Sequence, residues 1–194
     1  MEKTLNVYHR PPDPTRPLVC FDETSKQLVD HARPPLNATL EHPTRIADYE
    51  YLRNGTANIF MLYAPLEGRR EALVTDQRTT IDYAHAIRHL VEVIYPDAEK
   101  ILLVQDNLNT HEPASLYAAF PPDEARRLID KRELMTPRST AVGSRLLNEC
   151  GAEIELGILG RQCLDRRISN RDKLQREVAA WQQRRNDSRA NVDW

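Results

Sequence analysis

Two short apolar runs, each followed by an aspartate, constrain the fold of this chain more than any other sequence feature. Residues 18–21 (LVCF) lead into Asp22, and residues 101–105 (ILLVQ) lead into Asp106. Runs that are apolar at nearly every position are typical of strands buried on both faces of a sheet. Because sites in open α/β sheets gather beyond the ends of such strands, we expect both carboxylates at one site.

Two further segments predict strands that complete a mixed central sheet. Residues 57–64 (ANIFMLYA) and 70–75 indicate an antiparallel pair, and Asn54–Gly55 predicts a turn before the first of them. The order of elements up to residue 105 is then three strands, a helix and a strand. Together with the helices that follow, this pattern predicts an α/β fold with helices flanking a mixed sheet.

Helical periodicity begins after residue 79. Thr79 and Asp82 have the spacing of a capping box, and apolar residues recur at helical spacing from 81 to 94. Further helices are predicted at 113–119, 122–132, 152–166 and 172–185.

Length and composition fit one domain. The 194 residues are 40% hydrophobic and 29% charged, and no run approaches the roughly 20 apolar residues that a membrane helix needs. We expect an extended, proline-rich lead-in over 1–17, the domain over 18–185 and a truncated tail over 186–194. Three cysteines, an odd number, and a polar start without signal-peptide character favour a cytoplasmic protein with reduced thiols.

A third carboxylate, that of Glu153, opens the helix predicted at 152–166, and Glu155 lies on a different helix face. Oxygen ligands from two strand ends and a helix suit Mg²⁺, which completes its shell with water and phosphate. Such a site suits phosphodiester chemistry, with one ion activating a water or 3′-hydroxyl and a second steadying the leaving oxygen. Aspartate at a strand end is also common turn chemistry, so spacing alone leaves both interpretations open.

The residues around the two aspartates resemble a known family. Residues 19–28 (VCFDETSKQL) and 105–111 (QDNLNTH) are similar to catalytic-domain motifs of bacterial insertion-sequence transposases. The similarity is to the mariner-related group of the DDE superfamily, the insertion-sequence six-thirty family. Supporting stretches lie at 54–58, 82–85, 95–100, 113–117 and 160–167.

This resemblance implies an RNase H-like fold in which Asp22, Asp106 and Glu153 form the catalytic triad. It implies that the triad binds two Mg²⁺ or Mn²⁺ ions. It further implies DNA nicking at transposon ends and strand transfer into target DNA, carried out by a homo-oligomer on DNA.

The chain departs from the family pattern in three places. It starts just ahead of the first strand, where full-length members carry a helix-turn-helix region, so a separate upstream product is an expected partner. It also lacks the family's further basic tail. Where the family has Lys-His-Gly-Ser-Trp, residues 138–143 read RSTAVG. We therefore expect impaired catalysis from the altered segment 136–151, and Glu149 and Glu155 stay open as alternatives to Glu153.

We hypothesise that a compensated frameshift produced the altered segment. Written as AAG CAC GGC AGT TGG and read one base out of frame, the family's five residues give a codon ending in A, then Ser, Thr, Ala, Val and a Gly codon. Residues 138–143 fit every position if the arginine codon is CGA.

Several basic side chains are candidates for contact with DNA. Net charge is −2, but residues 160–194 hold nine Arg or Lys against five Asp or Glu. A basic helical region can follow a DNA backbone without reading bases, and a solvated helix surface is the alternative. Lys26 and His111 are phosphate candidates near the aspartates, and the alternatives are a solvated lysine and a packed histidine. The candidate arginines are Arg161, Arg166 and Arg167.

Two other functions compete with a transposase catalytic domain. One is an RNase H-like nuclease that cuts RNA in hybrids, which would share the fold and the acidic site. The other is a catalytically defective remnant that binds DNA or a partner subunit. No interaction with a membrane is expected from any of the three.

Overall fold

A five-stranded mixed sheet organises the chain. The computed structural model describes residues 11–33, 50–105, 111–135 and 151–190. In space the strands follow the order β3-β2-β1-β4-β5. The pairs β1/β2 and β2/β3 are antiparallel, whereas β1/β4 and β4/β5 are parallel. The strands are β1 (Leu18–His31), β2 (Tyr51–Ala64), β3 (Arg69–Thr75), β4 (Ile101–Val104) and β5 (Arg132–Met135).

The two apolar runs lie side by side, as the sequence predicts. In the parallel pair, Cys20 of β1 is the register partner of Val104 of β4. All four residues of β4 are buried, as are the first four of β1. The mixed sheet predicted from the sequence is therefore confirmed. Its central strand is β1, whose buried apolar run ends just before Asp22.

The predicted turn at Asn54–Gly55 is wrong, because β2 begins at Tyr51 and runs through both residues. Gln27 pairs with Thr56 but Val29 pairs with Arg53, so β2 has one extra residue opposite Leu28. Gly55 has a φ of +89°, a conformation that glycine adopts without steric cost. The Asn-Gly signal therefore marks a β-bulge inside a long strand pair.

Five helices lie among the described residues. The capping box at α1 is confirmed: Asp82 N donates to Thr79 Oγ1 over 3.2 Å, and Thr79 N donates to Asp82 Oδ2 over 2.8 Å. α1 and α4 each end in a wider π-helical turn, at Leu90–Ile94 and Gly160–Leu164. The helices are α1 (Thr80–His89), α2 (Ala114–Ala119), α3 (Pro122–Asp130), α4 (Gly151–Leu159) and α5 (Arg171–Asp187).

Strand β5 replaces the end of a predicted helix. The helix predicted over 122–132 stops at Asp130, and Arg132 instead pairs with Ile101 of β4. The sequence RELM of β5 has no alternation of apolar and polar residues, so only pairing with β4 identifies it as a strand. Arg132 is buried by this pairing, with 8% of its surface exposed.

Each face of the sheet has its own hydrophobic core. Helices α1, α2 and α3 cover the face to which Val19 and Phe21 point. Helices α4 and α5 cover the opposite face, where Cys20 and Leu28 lie. Side chains alternate along a strand, so Asp22 is on the α4/α5 face and Glu23 is on the α1/α2/α3 face.

The carboxyl-terminal helix is part of this fold beyond residue 185. Asn186 accepts a hydrogen bond from Arg70 N over 2.9 Å and donates to Arg70 O over 2.8 Å. Arg70 also donates to the carbonyl of Ala190. The folded unit therefore reaches at least residue 190 instead of the predicted boundary at 185. None of the helices in the described ranges is long and apolar enough to cross a membrane.

Candidate metal centre

Asp22 lies on the central strand, where β1 leaves the buried core. It is half-buried, two residues beyond Cys20, and pairs in register with Met61 of β2. Its Oδ1 accepts a hydrogen bond from Glu23 N over 2.8 Å. The strand is hydrogen-bonded on both sides up to this region, which makes the position of Asp22 rigid.

Two of the predicted ligands lie outside the described residues. These are Asp106, which follows Val104 by two positions in the sequence, and Glu149. Cys20 and Val104 are register partners in the parallel pair. Asp22 follows Cys20 by two positions in the sequence, and Asp106 follows Val104 by the same number.

Helix α4 begins against the same point of β1. A Cβ placed on Gly151 would lie 3.0 Å from Cδ1 of Tyr63 and 3.5 Å from Sγ of Cys20. A side chain at 151 would therefore require the ring of Tyr63 to move by a few tenths of an ångström. Glu153 follows by two positions, in the first turn of α4, and its side chain is exposed to solvent.

Both carboxylate oxygens of Glu155 contact arginine side chains. Its Oε2 lies 3.1 Å from Arg70 Nε, and its Oε1 accepts a hydrogen bond from Arg185 Nη2 over 2.8 Å. The side chains of Glu155 and Arg70 are fully buried. Burial lowers the pKa of Arg70, and the charge of Glu155 opposes that shift. Because its charge is already balanced, Glu155 is a poor choice for a metal ligand.

The described carboxylates fit a hard divalent cation in their chemistry. Asp22 and Glu153 offer oxygen donors, from elements that meet at Cys20. Within the described ranges alone, no three His, Cys, Asp or Glu side chains form a group that could hold a metal ion. A complete site therefore needs a ligand from outside these ranges.

On the other face of the sheet, Glu23 and His111 form a buried pair. Glu23 Oε2 lies 3.0 Å from His111 Nε2, and the two side chains are 5% and 1% exposed. His111 therefore packs in the core, and in this arrangement its ring does not reach a phosphate. It does not cap α2 either, because that helix begins at Ala114 with no side-chain cap.

Three more buried polar side chains join this pair. Gln105 Nε2 donates to the carbonyl of His111 over 2.9 Å. The hydroxyl of Tyr83 donates to Gln105 Oε1 over 2.8 Å and accepts from Arg132 Nη1 over 3.0 Å. Burial raises the pKa of Tyr83 and lowers the pKa of Arg132. We call Glu23, Tyr83, Gln105, His111 and Arg132 the buried polar cluster.

Most of the proposed DNA-contacting side chains have partners within the chain. Lys26 Nζ donates to the carbonyl of Leu164 over 2.5 Å, at the end of the π-helical turn after α4. Arg166 pairs with Glu177 over 2.6 Å. Arg167 lies 2.9 Å from Nδ1 of His31.

Arg161 differs from these residues. It is exposed, at the start of the π-helical turn, and none of the ion pairs between described residues involves it.

Sequence reasoning missed the buried polar cluster and the two arginines on Glu155. Gln105 at the end of an apolar strand and Tyr83 within the apolar stripe of α1 are the signals that were present, since buried polar groups need partners. No local signal identifies Arg70, Arg132 or Arg185 as partners, because each contact joins residues far apart in the chain.

The strand order and the helices on both faces define an RNase H-like fold. The structure is similar to the Mos1 mariner paired-end complex with Mn, with a TM-score of 0.58 and 14% identity over 97% of this chain and 54% of that chain. Similarity to the Mos1 strand transfer complex has a TM-score of 0.53 and 11% identity, over 93% and 50% of the two chains.

The Mos1 transposase paired-end complex with the left transposon end is also similar, with a TM-score of 0.51 and 13% identity over 93% and 51% of the two chains. The chain spans about half the length of these Mos1 chains. No protein-family model matches the sequence, and no curated protein matches it.

Proposed function

We propose that the chain is the catalytic domain of a DDE-type transposase that cuts and joins DNA with divalent metal. One observation carries this proposal. Cys20 is the point where β1, β4 and α4 meet, since it pairs with Val104 and lies against Gly151. Each predicted ligand follows one of these residues by two positions in the sequence: Asp22 follows Cys20, Asp106 follows Val104 and Glu153 follows Gly151.

These three carboxylates would hold two Mg²⁺ or Mn²⁺ ions. When bound, the ions supply an activated water or 3′-hydroxyl and charge stabilisation at the leaving oxygen. The role of the chain is to fix the carboxylates: β1 is paired on both sides, and α4 is anchored by the ion pairs of Glu155. A rigid supporting shell of this kind is what a site needs for efficient chemistry.

The substrate would be DNA at transposon ends, followed by target DNA. The similar Mos1 structures include a strand transfer complex and a paired-end complex with the left transposon end. The finer family assignment, to the insertion-sequence six-thirty group, rests on the motif resemblance around Asp22 and Asp106. Within this proposal the domain acts in the cytoplasm as a homo-oligomer on DNA. The altered segment 136–151 lowers its catalytic rate.

Among the basic candidates, Arg161 is the one proposed to contact phosphate directly. Lys26, Arg166 and Arg167 are proposed to keep their internal contacts and to contribute only to the local positive field. His111 is proposed to act from the core and not as a DNA contact.

Binding of Mg²⁺ is expected to stabilise the folded chain against heat. At a hundredfold excess of free Mg²⁺ over Kd the gain is about 2.7 kcal/mol, because the ion binds only the folded state. Asp22→Asn should remove most of this gain, as the amide carries no charge. Calorimetric melting with and without Mg²⁺ measures it.

Asp30→Asn is the matched control for this experiment. Asp30 is on the same strand, is half-buried and accepts the same local bond, from His31 N over 2.8 Å. The control should keep the full gain from Mg²⁺. Equal melting of the unmodified chain with and without millimolar Mg²⁺ would count against a metal site.

A further inference from the structure

Strand β3 forms one edge of the sheet, because among the described strands it pairs only with β2. In an antiparallel pair, residues whose N–H and C=O groups face the partner strand alternate with residues whose groups face outward. Arg70, Ala72 and Val74 face outward in β3, since their backbone groups bond to side chains beyond the strand. An unpaired row of such groups is a template to which another chain can add a strand.

Two amide side chains of α5 occupy much of this row. Asn186 Oδ1 accepts from Arg70 N over 2.9 Å, and its Nδ2 donates to Arg70 O over 2.8 Å, as a residue of a facing strand would do. Gln182 Oε1 accepts from Ala72 N over 2.7 Å. The Gln182 amide is itself oriented, because its Nε2 donates to Glu71 Oε2 over 3.0 Å. These two side chains therefore take the place of a neighbouring strand.

The spacing of the two amides matches the spacing of the strand. Gln182 and Asn186 are separated by about 6 Å along the helix axis, because a helix rises about 1.5 Å per residue. Ala72 and Arg70 are separated by about 6.6 Å along the strand, which rises about 3.3 Å per residue. One face of the helix can therefore meet successive outward residues of β3.

The rest of α5 holds the amides against the strand. Leu174, Val178 and Trp181 form a buried stripe at helical spacing that packs into the core on one face of the sheet. At the start of the helix, Arg171 Nη2 donates to the carbonyl of Val74 over 3.2 Å. The helix therefore contacts the outward row at both of its ends.

The sequence of β3 does not itself prevent two copies from pairing. In an antiparallel pairing centred on Ala72, outward residues of one copy would face outward residues of the other, so their N–H and C=O groups could bond directly. None of the facing side chains would bring like charges together, which is a usual means of discouraging such pairing. The facing pairs would be Arg69 with Thr75, Arg70 with Val74, Glu71 with Leu73 and Ala72 with Ala72. Protection of this edge therefore depends on α5.

We propose that α5 blocks the β3 edge: the amides of Gln182 and Asn186 occupy its outward groups and keep a second copy of the chain from adding its own β3 there. This role involves neither metal nor DNA and is therefore independent of the proposed function. A helix that only packs on the core is the competing interpretation, and it predicts no change in association when the amides are removed.

The double variant Gln182→Ala with Asn186→Ala removes both amides from the full chain. Alanine favours helix, so α5 itself should persist. At low protein concentration we expect the backbone amide protons of Arg70 and Ala72 to exchange about 5- to 10-fold faster, measured by NMR, because each loses one hydrogen bond. As the concentration rises, the weight-average mass in sedimentation equilibrium should increase toward twice that of the unmodified chain.

Gln183→Ala is the matched control. Gln183 is the next residue of α5, is exposed, and donates to Asp187 Oδ1 over 2.8 Å instead of contacting β3. Its replacement should change neither the exchange rates nor the mass. If the double variant does not fold, Gln182→Ala alone is judged by the same two measurements, with exchange read at Ala72.

Three results would overturn the proposal. The first is exchange in the double variant as slow as in the unmodified chain. The second is faster exchange with no increase in mass at any concentration tested. The third is a Gln183→Ala control that associates as strongly as the double variant.

Charge substitutions at Thr75 identify the surface through which the double variant associates. In the centred pairing Thr75 faces Arg69 of the second copy. Added to the double variant, Thr75→Glu should therefore strengthen association and Thr75→Arg should weaken it, at low ionic strength. Equal association of these two variants would mean that the copies meet elsewhere, which contradicts a block at the β3 edge.

Discussion

Asp22→Asn is expected to lower Mg²⁺-dependent nicking of DNA by about a thousandfold. A metal-bound site contributes several kcal/mol of charge stabilisation in the transition state, and each 1.4 kcal/mol is worth about tenfold in rate. The substitution keeps the size of the side chain and an oxygen that can accept from Glu23 N. Single-turnover nicking of a labelled duplex that carries transposon ends measures the loss.

Asp30→Asn is again the control, and its nicking rate should equal that of the unmodified chain. If Asp22→Asn and Asp30→Asn nick DNA at the same metal-dependent rate, Asp22 takes no part in the chemistry. Cleavage of an RNA–DNA hybrid in preference to the duplex would instead favour an RNase H-like nuclease.

Substitution of the two glutamates of α4 is expected to have opposite effects: loss of Glu155 lowers stability, and loss of Glu153 lowers activity. Glu155→Gln leaves Arg70 and Arg185 against a neutral amide. Breaking a buried ion pair in this way costs about 3–5 kcal/mol. For a domain of this size that corresponds to a fall in Tm of about 10 °C. Thermal melting of the metal-free protein measures this effect.

Glu153→Gln should leave Tm almost unchanged, since an exposed substitution typically alters stability by less than about 0.5 kcal/mol. We expect it instead to reduce Mg²⁺-dependent nicking by at least about a hundredfold, through loss of a metal ligand. A destabilised Glu153→Gln with normal nicking, beside a stable Glu155→Gln without nicking, would reverse the assignment of the two glutamates.

Elements with strong local signals were predicted well from the sequence. The apolar runs before Asp22 and Asp106 do form neighbouring parallel strands, and the pair Thr79 and Asp82 does cap α1. In each case the determining interactions lie within a few residues, or the burial of the element is so complete that its composition reveals it.

Features that depend on distant partners could not be predicted. β5 is a strand only because Arg132 pairs with Ile101, and the bulge at Gly55 exists only because β1 continues opposite it. An Asn-Gly pair has the same composition whether it forms a hairpin turn or a β-bulge. Local sequence identifies a residue that tolerates a positive φ, but not the strand that lies beside it.

The candidate site divides along the same line. Asp22 and Glu153 were proposed as ligands from local signals, the end of a buried apolar run and the start of a helix, although β1 continues beyond Asp22 to His31. The buried pair of Glu23 and His111 spans 88 positions of sequence, and the pair of Arg70 and Glu155 spans 85. Neither pair has a local pattern, although the Glu23 pair involves the strand of Asp22 and the Arg70 pair anchors the helix of Glu153.

Anomalous scattering from crystals soaked in Mn²⁺ tests the central claim most directly. The account predicts a Mn²⁺ peak within about 2.0–2.5 Å of carboxylate oxygens from Asp22 and Asp106, with Glu153 as a further ligand. The same soak of Asp22→Asn crystals should show the peak strongly reduced. Clear density for all three carboxylates without a Mn²⁺ peak between them, at millimolar Mn²⁺, would contradict the assignment of this chain as a metal-dependent catalytic domain.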